Sequence, residues 1–180
     1  MADTGRRAFL ATMAGGLVMA ASDETLAWGF GFPSIDGGRL DFAPLKGRVL
    51  LVVNTASFCG YTYQYDAMEK LHKTRQIDGL TVVGVPSQDF NQESADNRTV
   101  KDFCETRFGI DFPLTAISHV RGPQATPFFA WVKQVTAWEP AWNFNKVLIG
   151  RDGQILGTFG SSDEPDGGTL GSAIEAALTR

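Results

Sequence analysis

Two apolar runs, one helix apart, limit what this chain can fold into. "RVLLVVN", Arg48 to Asn54, and "LTVVGVP", Leu80 to Pro86, carry no charge after Arg48 and are rich in Val and Leu. An alternating strand can leave one face in water. A strand that is apolar throughout must be covered on both faces, as parallel strands with helical crossovers are. The segment between the runs supplies the crossover. Tyr65, Met68 and Leu71 recur three apart, which predicts a helix over about Thr62 to Arg75.

The remaining segments extend this unit. "FPSIDGGRLDF" predicts a hairpin turning at Asp36-Gly37-Gly38. A polar loop is expected from Ser87 to Arg98. Thr99 and Asp102 then form a capping-box-like pair, with Gly109 as the helix stop and Val100, Phe103, Cys104 and Phe108 on the apolar face. Thr126-Pro127 opens another helix with Phe129 and Val132 inward. "KVLIG" and "QILGTFG" are two strands joined by a tight turn at "RDG", and a last helix runs from about Thr169 to Leu178. The order is hairpin, β, α, β, α, α, β, β, α. It defines an α/β, thioredoxin-like fold: a central mixed sheet flanked by helices, with an N-terminal β-hairpin.

The 180 residues, 43% hydrophobic, suffice for one well-filled core. The net charge of −4 is not relieved by any basic patch, which argues against a nucleic-acid partner. Two cysteines make no disulfide scaffold. With only His72 and His119 besides, and no short ligand spacing, no metal site is expected.

The first residues read differently. Arg6 and Arg7 precede a small-residue apolar run from Ala11 to Ala21. That run is shorter than the roughly 20 residues a bilayer span requires. It fits a twin-arginine-type export signal over residues 1–27, cleaved after Ala27, or alternatively after Ala20 or Ala21. An N-terminal amphipathic helix or uncleaved anchor is the competing reading. Export would leave a mature domain over 28–180 in the periplasm.

Cys59, in "NTASFCGYT", is where chemistry is expected. It falls just past the end of the first buried strand and just before a helix, a position where open α/β sheets carry sites. Free N–H groups and partial positive charge at a helix start favour thiolate over thiol. Gly60 beside it permits close approach. The alternative is an inert buried thiol.

The segment "VNTASFCGYTYQYDAMEKLHK" is similar to the peroxidatic-cysteine segment of the glutathione peroxidase family. The similarity continues through "VVGVPSQDFNQES", "FCETRFGIDFPL", "VRGPQATPFFAWVK" and "WNFNKVLIGRDGQILGTFGS". It spans about Phe32 to Ala177, in five ordered motifs. The resemblance implies a thiol peroxidase that reduces hydrogen peroxide and organic or lipid hydroperoxides and protects against oxidative stress. Cys59 would attack the O–O bond and become a sulfenic acid. Trp142 and Asn143 match the family's Trp and Asn, whose indole and amide N–H groups favour the thiolate. Core packing is the plainer role for Trp142.

One position departs from the pattern. Asp89 stands where the family has a catalytic Gln, and a carboxylate beside Cys59 would oppose the thiolate. Asp89 is therefore protonated and donating, or turned away, or replaced in its role by Gln88 or Gln92. Cys104 matches the resolving cysteine of members that use thioredoxin, which implies a Cys59–Cys104 disulfide as intermediate. Plain core burial is the other reading of Cys104. The resemblance further implies no cofactor beyond a thiol reductant as co-substrate, either a thioredoxin-like protein or glutathione. The short stretch before "WNF" lacks the insertion of tetrameric members and implies a monomer. Competing functions are a thiol-based peroxide sensor and a thiol–disulfide oxidoreductase. The second would want a Cys-x-x-Cys, and Thr62 stands where the second cysteine belongs. A copper- or haem-assembly module would want a Cys-x-x-x-Cys, where Tyr63 stands, and nothing marks His119 as its partner.

Overall fold

The computed structural model describes residues 26–179. The expected export signal lies outside the described residues except for Leu26 and Ala27. Elements in chain order are β1 (Gly31–Pro33), β2 (Arg39–Asp41), β3 (Val49–Thr55), α1 (Gln64–Arg75), β4 (Leu80–Pro86), α2 (Asn97–Phe108), α3 (Pro127–Thr136), β5 (Lys146–Ile149), β6 (Ile155–Phe159) and α4 (Gly168–Leu178). Strands β1 and β2 form the small antiparallel hairpin. The main sheet has the order β4-β3-β5-β6. β3 and β4 are parallel, from Val49 opposite Leu80 to Thr55 opposite Pro86. β3 with β5 and β5 with β6 are antiparallel, so the sheet is mixed.

The continuous apolar runs have the predicted cause. Every residue of β3 and β4 is buried. Successive side chains point to opposite faces. Val49, Leu51 and Val53 pack with Tyr65 and Met68 of α1, Val100 and Cys104 of α2, and Leu170 and Ile174 of α4. Leu50 and Val52 pack on the other face with Phe128, Phe129 and Val132 of α3 and with Phe32 and Phe42 at the hairpin. Gly84 in β4 is a close approach, since a Cβ there would stand 2.5 Å from Leu114 Cδ2.

Two helix starts differ from expectation. α2 is capped by Asp96, not Thr99. Its carboxylate accepts from the Thr99 N–H at 2.9 Å and from the Thr99 hydroxyl at 2.8 Å. Asp96 has the extended backbone a cap needs, and Thr99 then falls at the third helical position. α1 starts at Gln64, because residues 57–63 form successive turns that deliver Cys59 before the helix begins. Gly109 ends α2 as expected, with φ 61°. Among the described residues no helix is long and apolar enough to cross a membrane, and no three His, Cys, Asp or Glu side chains are grouped to hold a metal.

Candidate active site

Cys59 sits on the turns between β3 and α1, with only 5% of its surface exposed. Its carbonyl accepts from the Thr62 N–H at 3.2 Å, which closes the turn leading into α1. On either side the surface is open. Phe58 is 67% exposed, and a Cβ on Gly60 would meet nothing within 4 Å.

The loop after β4 holds this turn from one side. The Phe58 N–H donates to the Gln92 carbonyl at 2.9 Å, and the Ser57 N–H donates to Glu93 Oε1 at 3.1 Å. Glu93 Oε1 also accepts from the Ser94 N–H at 2.7 Å, while Oε2 is buried with no partner. Burial pushes the Glu93 carboxyl up from its ordinary value, against the lowering effect of its bonds to Ser57 and Ser94. Gln88 braces the loop internally, its amide bonding both the N–H and the carbonyl of Glu93.

The segment before β5 closes the other side. Asn54, at the end of β3, donates from Nδ2 to the Trp142 carbonyl at 3.1 Å, and its Oδ1 accepts from the Asn145 N–H at 3.0 Å. The Phe144 N–H donates to the Asn54 carbonyl, which helps hold Phe144 at a left-handed φ of 59°. Asn143 is fully buried. Its Nδ2 donates to Gln92 Oε1 at 2.9 Å, and its Oδ1 has no partner. Trp142 is 42% exposed and its ring centroid lies 5.4 Å from that of Phe90, so it is a surface group and not core filling. Among the described residues no side chain hydrogen-bonds the Cys59 sulfur; the Trp142 ring packs on Phe90 and the Asn143 amide bonds Gln92.

Asp89 turns away. Its Oδ1 lies 2.6 Å from His119 Nδ1, and its Oδ2 accepts from the N–H groups of Val120 at 2.6 Å and Arg121 at 3.2 Å. It pins the 119–121 loop, in line with the second of the three outcomes that the sequence left open for it. The reason is simple: a carboxylate is better placed against two backbone donors and an imidazole than against a thiolate.

Cys104 is a free thiol with no exposed surface, in the same apolar cluster as Cys59 and Tyr65. Burial pushes its pKa up to about 11, with Glu93 and Glu105 adding to the rise and Tyr65 opposing it. Besides Glu93, three residues that position the site escaped the sequence reading. Asn54 and Lys146 each end or begin an apolar strand run, and a polar residue there is the only signal they leave. Buried Lys146 donates to Gln64 Oε1 at 2.7 Å and to the Asp163 carbonyl at 2.7 Å. Ser161 donates to the Asn143 carbonyl at 2.6 Å. A groove of about 620 Å³ between α1 and α4, lined by Lys70, Leu71, Pro165 and Glu175, lies apart from this site.

A mixed sheet flanked by helices, with a buried thiol on the turns that follow its central strand β3, defines a thioredoxin-like fold. Residues 28–133 match the glutathione peroxidase family. The chain belongs to that family. It is 37% identical over 162 residues to the hydroperoxy fatty acid reductase gpx1 of Synechocystis sp., covering 82% of this chain and 94% of that protein. It is 36% identical over 148 residues to the glutathione peroxidase-like peroxiredoxin gpx1 of Schizosaccharomyces pombe, covering 79% and 92%. Among solved structures it resembles T. cruzi GPX1, with TM-score 0.66 and 28% identity over 86% of this chain and 97% of that one. A thiol:disulfide interchange protein from Chlorobium tepidum, at TM-score 0.60 and 20% identity over 83% and 92%, shares the fold alone.

Proposed function

We propose that this protein reduces hydroperoxides by a two-cysteine cycle. The Cys59 thiolate attacks the O–O bond of ROOH. With one proton, this yields a Cys59 sulfenic acid and ROH. The Cys104 thiol then displaces the sulfenic oxygen, giving a Cys59–Cys104 disulfide and water. A dithiol protein of the thioredoxin type reduces the disulfide to two thiols and is itself oxidised. The observation that carries the reading is Cys59, on a turn just past β3 whose Phe58 N–H donates to the Gln92 carbonyl and whose Ser57 N–H donates to the Glu93 carboxylate, in a glutathione peroxidase family member.

The chain acts as a monomer on hydrogen peroxide and on organic or lipid hydroperoxides. Exposed Phe58 and half-buried Tyr61, on the turns that carry Cys59, offer apolar surface to the alkyl part of a larger substrate. The relative named a hydroperoxy fatty acid reductase supports this choice. No cofactor takes part. Export by the twin-arginine-type signal delivers it to the periplasm, where its reductant is a thioredoxin-like protein of that compartment. Cleavage after Ala20 or Ala21 is preferred to cleavage after Ala27. Ala27 is buried and its N–H donates to the Gly153 carbonyl at 2.9 Å, so the later cut would remove part of the folded domain.

A second reading rests on Cys104. A resolving thiol this buried and this far from ionisation leaves the sulfenic acid long-lived, as a peroxide sensor requires. A coupled assay separates the two. Sustained consumption of peroxide with a thioredoxin-like reductant in excess, lost in Cys59→Ser, is expected of the enzyme. Consumption that stops at one equivalent assigns the sensor role, and consumption that survives Cys59→Ser rules out both.

A further inference from the structure

We infer that Gln92 is the positioning amide of this site, acting on Cys59 through Asn143 and through the Phe58 backbone. The inference rests on the assignment of Cys59 as the reacting thiol. It concerns the place left open by Asp89. Both oxygens of Asp89 are committed to His119, Val120 and Arg121, on the side of the 119–121 loop. Gln88 is spent on both backbone groups of Glu93. Gln92 alone of the three meets the site at two points: its Oε1 accepts from Asn143 Nδ2, and its carbonyl accepts from the Phe58 N–H, one residue before Cys59.

The state of Asn143 shows what this contact does. Asn143 is fully buried and its side chain makes one hydrogen bond, to Gln92; its Oδ1 has no partner. A buried amide half satisfied in this way is expected where a further group is to be bound. The nitrogen and oxygen ends of an amide are exchangeable in such a network. Reversing both amides keeps the pair bonded, with Gln92 Nε2 donating to Asn143 Oδ1. The unpartnered end of Asn143 then becomes an N–H, the donor that a sulfur anion accepts. Gln92 thus fixes the plane of the Asn143 amide in either state, and the adjoining carbonyl fixes the turn that carries Cys59.

A double-mutant cycle tests this, with the second-order rate of Cys59 oxidation by hydrogen peroxide as readout and trapping of the sulfenic acid as detection. Gln92→Met, close in volume and without the amide, is expected to slow oxidation about tenfold, the effect of one hydrogen bond of ordinary strength. If Gln92 acts through Asn143, the same change in an Asn143→Ala background costs little more. A merely structural role would add the full loss again. Gln92→Glu, isosteric and charged, is expected to move the pH midpoint of Cys59 alkylation upward, and it keeps the test open should Gln92→Met fold poorly. Full rate in Gln92→Met, additivity in the cycle, or an unmoved midpoint in Gln92→Glu overturns the inference. So does recovery of Gln92→Met by Asp89→Gln, which would return the role to the family position. Oxidation that persists in Cys59→Ser instead removes the peroxidase assignment itself.

Discussion

Cys104 is fully buried inside α2, yet the proposed cycle requires it to bond Cys59. Disulfide formation brings Cα atoms within about 7 Å, and we propose that the helix turn that holds Cys104 opens to allow it. Gly109 is the lever. It stands at φ 61°, its N–H donates to the Glu105 carbonyl at 3.0 Å, and the next N–H, of Ile110, donates to the Cys104 carbonyl at 3.3 Å. A Cβ at Gly109 would meet nothing within 4 Å, so Gly109→Ala is penalised by backbone conformation alone. The left-handed region costs an L-residue about 1 kcal/mol. If the closed turn carries that penalty and the open turn does not, opening becomes about fivefold more favourable. Disulfide formation after one equivalent of peroxide should accelerate by the same factor, while sulfenic acid formation keeps its rate. Acid-quenched samples resolved by mass follow both steps. Gly47→Ala is the matched control: φ is 83°, a Cβ there also meets nothing, and the position precedes β3, away from α2. It should lower global stability similarly without speeding the disulfide. Equal disulfide rates in wild type and Gly109→Ala, with the loss of stability verified, would refute the need for opening.

Three further outcomes follow from the same contacts. With its pKa near 11, native Cys104 should alkylate about tenfold faster per pH unit through neutral pH, with no plateau near pH 8.5, the ordinary cysteine value; a plateau there contradicts its burial. The Glu93 carboxyl is raised in the folded state, so the stability it contributes is complete below its unfolded pKa and is lost as pH rises through the folded one. Denaturant unfolding should therefore show Glu93→Gln gaining on wild type as pH rises from about 4, and a pH-independent difference contradicts this. Asp89→Ala leaves the Val120 and Arg121 N–H groups without their acceptor and should cost about 2 kcal/mol of unfolding free energy; a change within the error of urea melts removes its role as a loop pin.

The sheet was readable because β3 and β4 are covered on both faces, which leaves unbroken runs rich in Val and Leu. The helix starts were less so. Asp96 and Thr99 are both competent caps, and only the extended backbone at Asp96 decides between them. Cys59, Trp142 and Asn143 were singled out through the family motifs. What holds them was not. Gln92 reaches Asn143 across 51 positions, and Asp89 reaches His119 across 30, and neither separation leaves a periodicity to read. Glu93 looked like one more polar loop residue, although its carboxylate is buried against the Ser57 N–H. Lys146 opens an apolar strand run, and its need for carbonyl partners at Gly160, Ser161 and Asp163 shows only once the chain is folded.

The central claim is that Cys59 takes oxygen from the peroxide and Cys104 removes it. Intact mass after one equivalent of hydrogen peroxide tests it directly, on wild type, Cys59→Ser and Cys104→Ser without added reductant. Wild type should lose two hydrogens, and digestion should link the Cys59 and Cys104 peptides. Cys104→Ser should gain one oxygen, on Cys59, and Cys59→Ser should be unchanged. An added oxygen on Cys104 in the Cys59→Ser variant, or a wild type that keeps both thiols while peroxide disappears, would contradict the account.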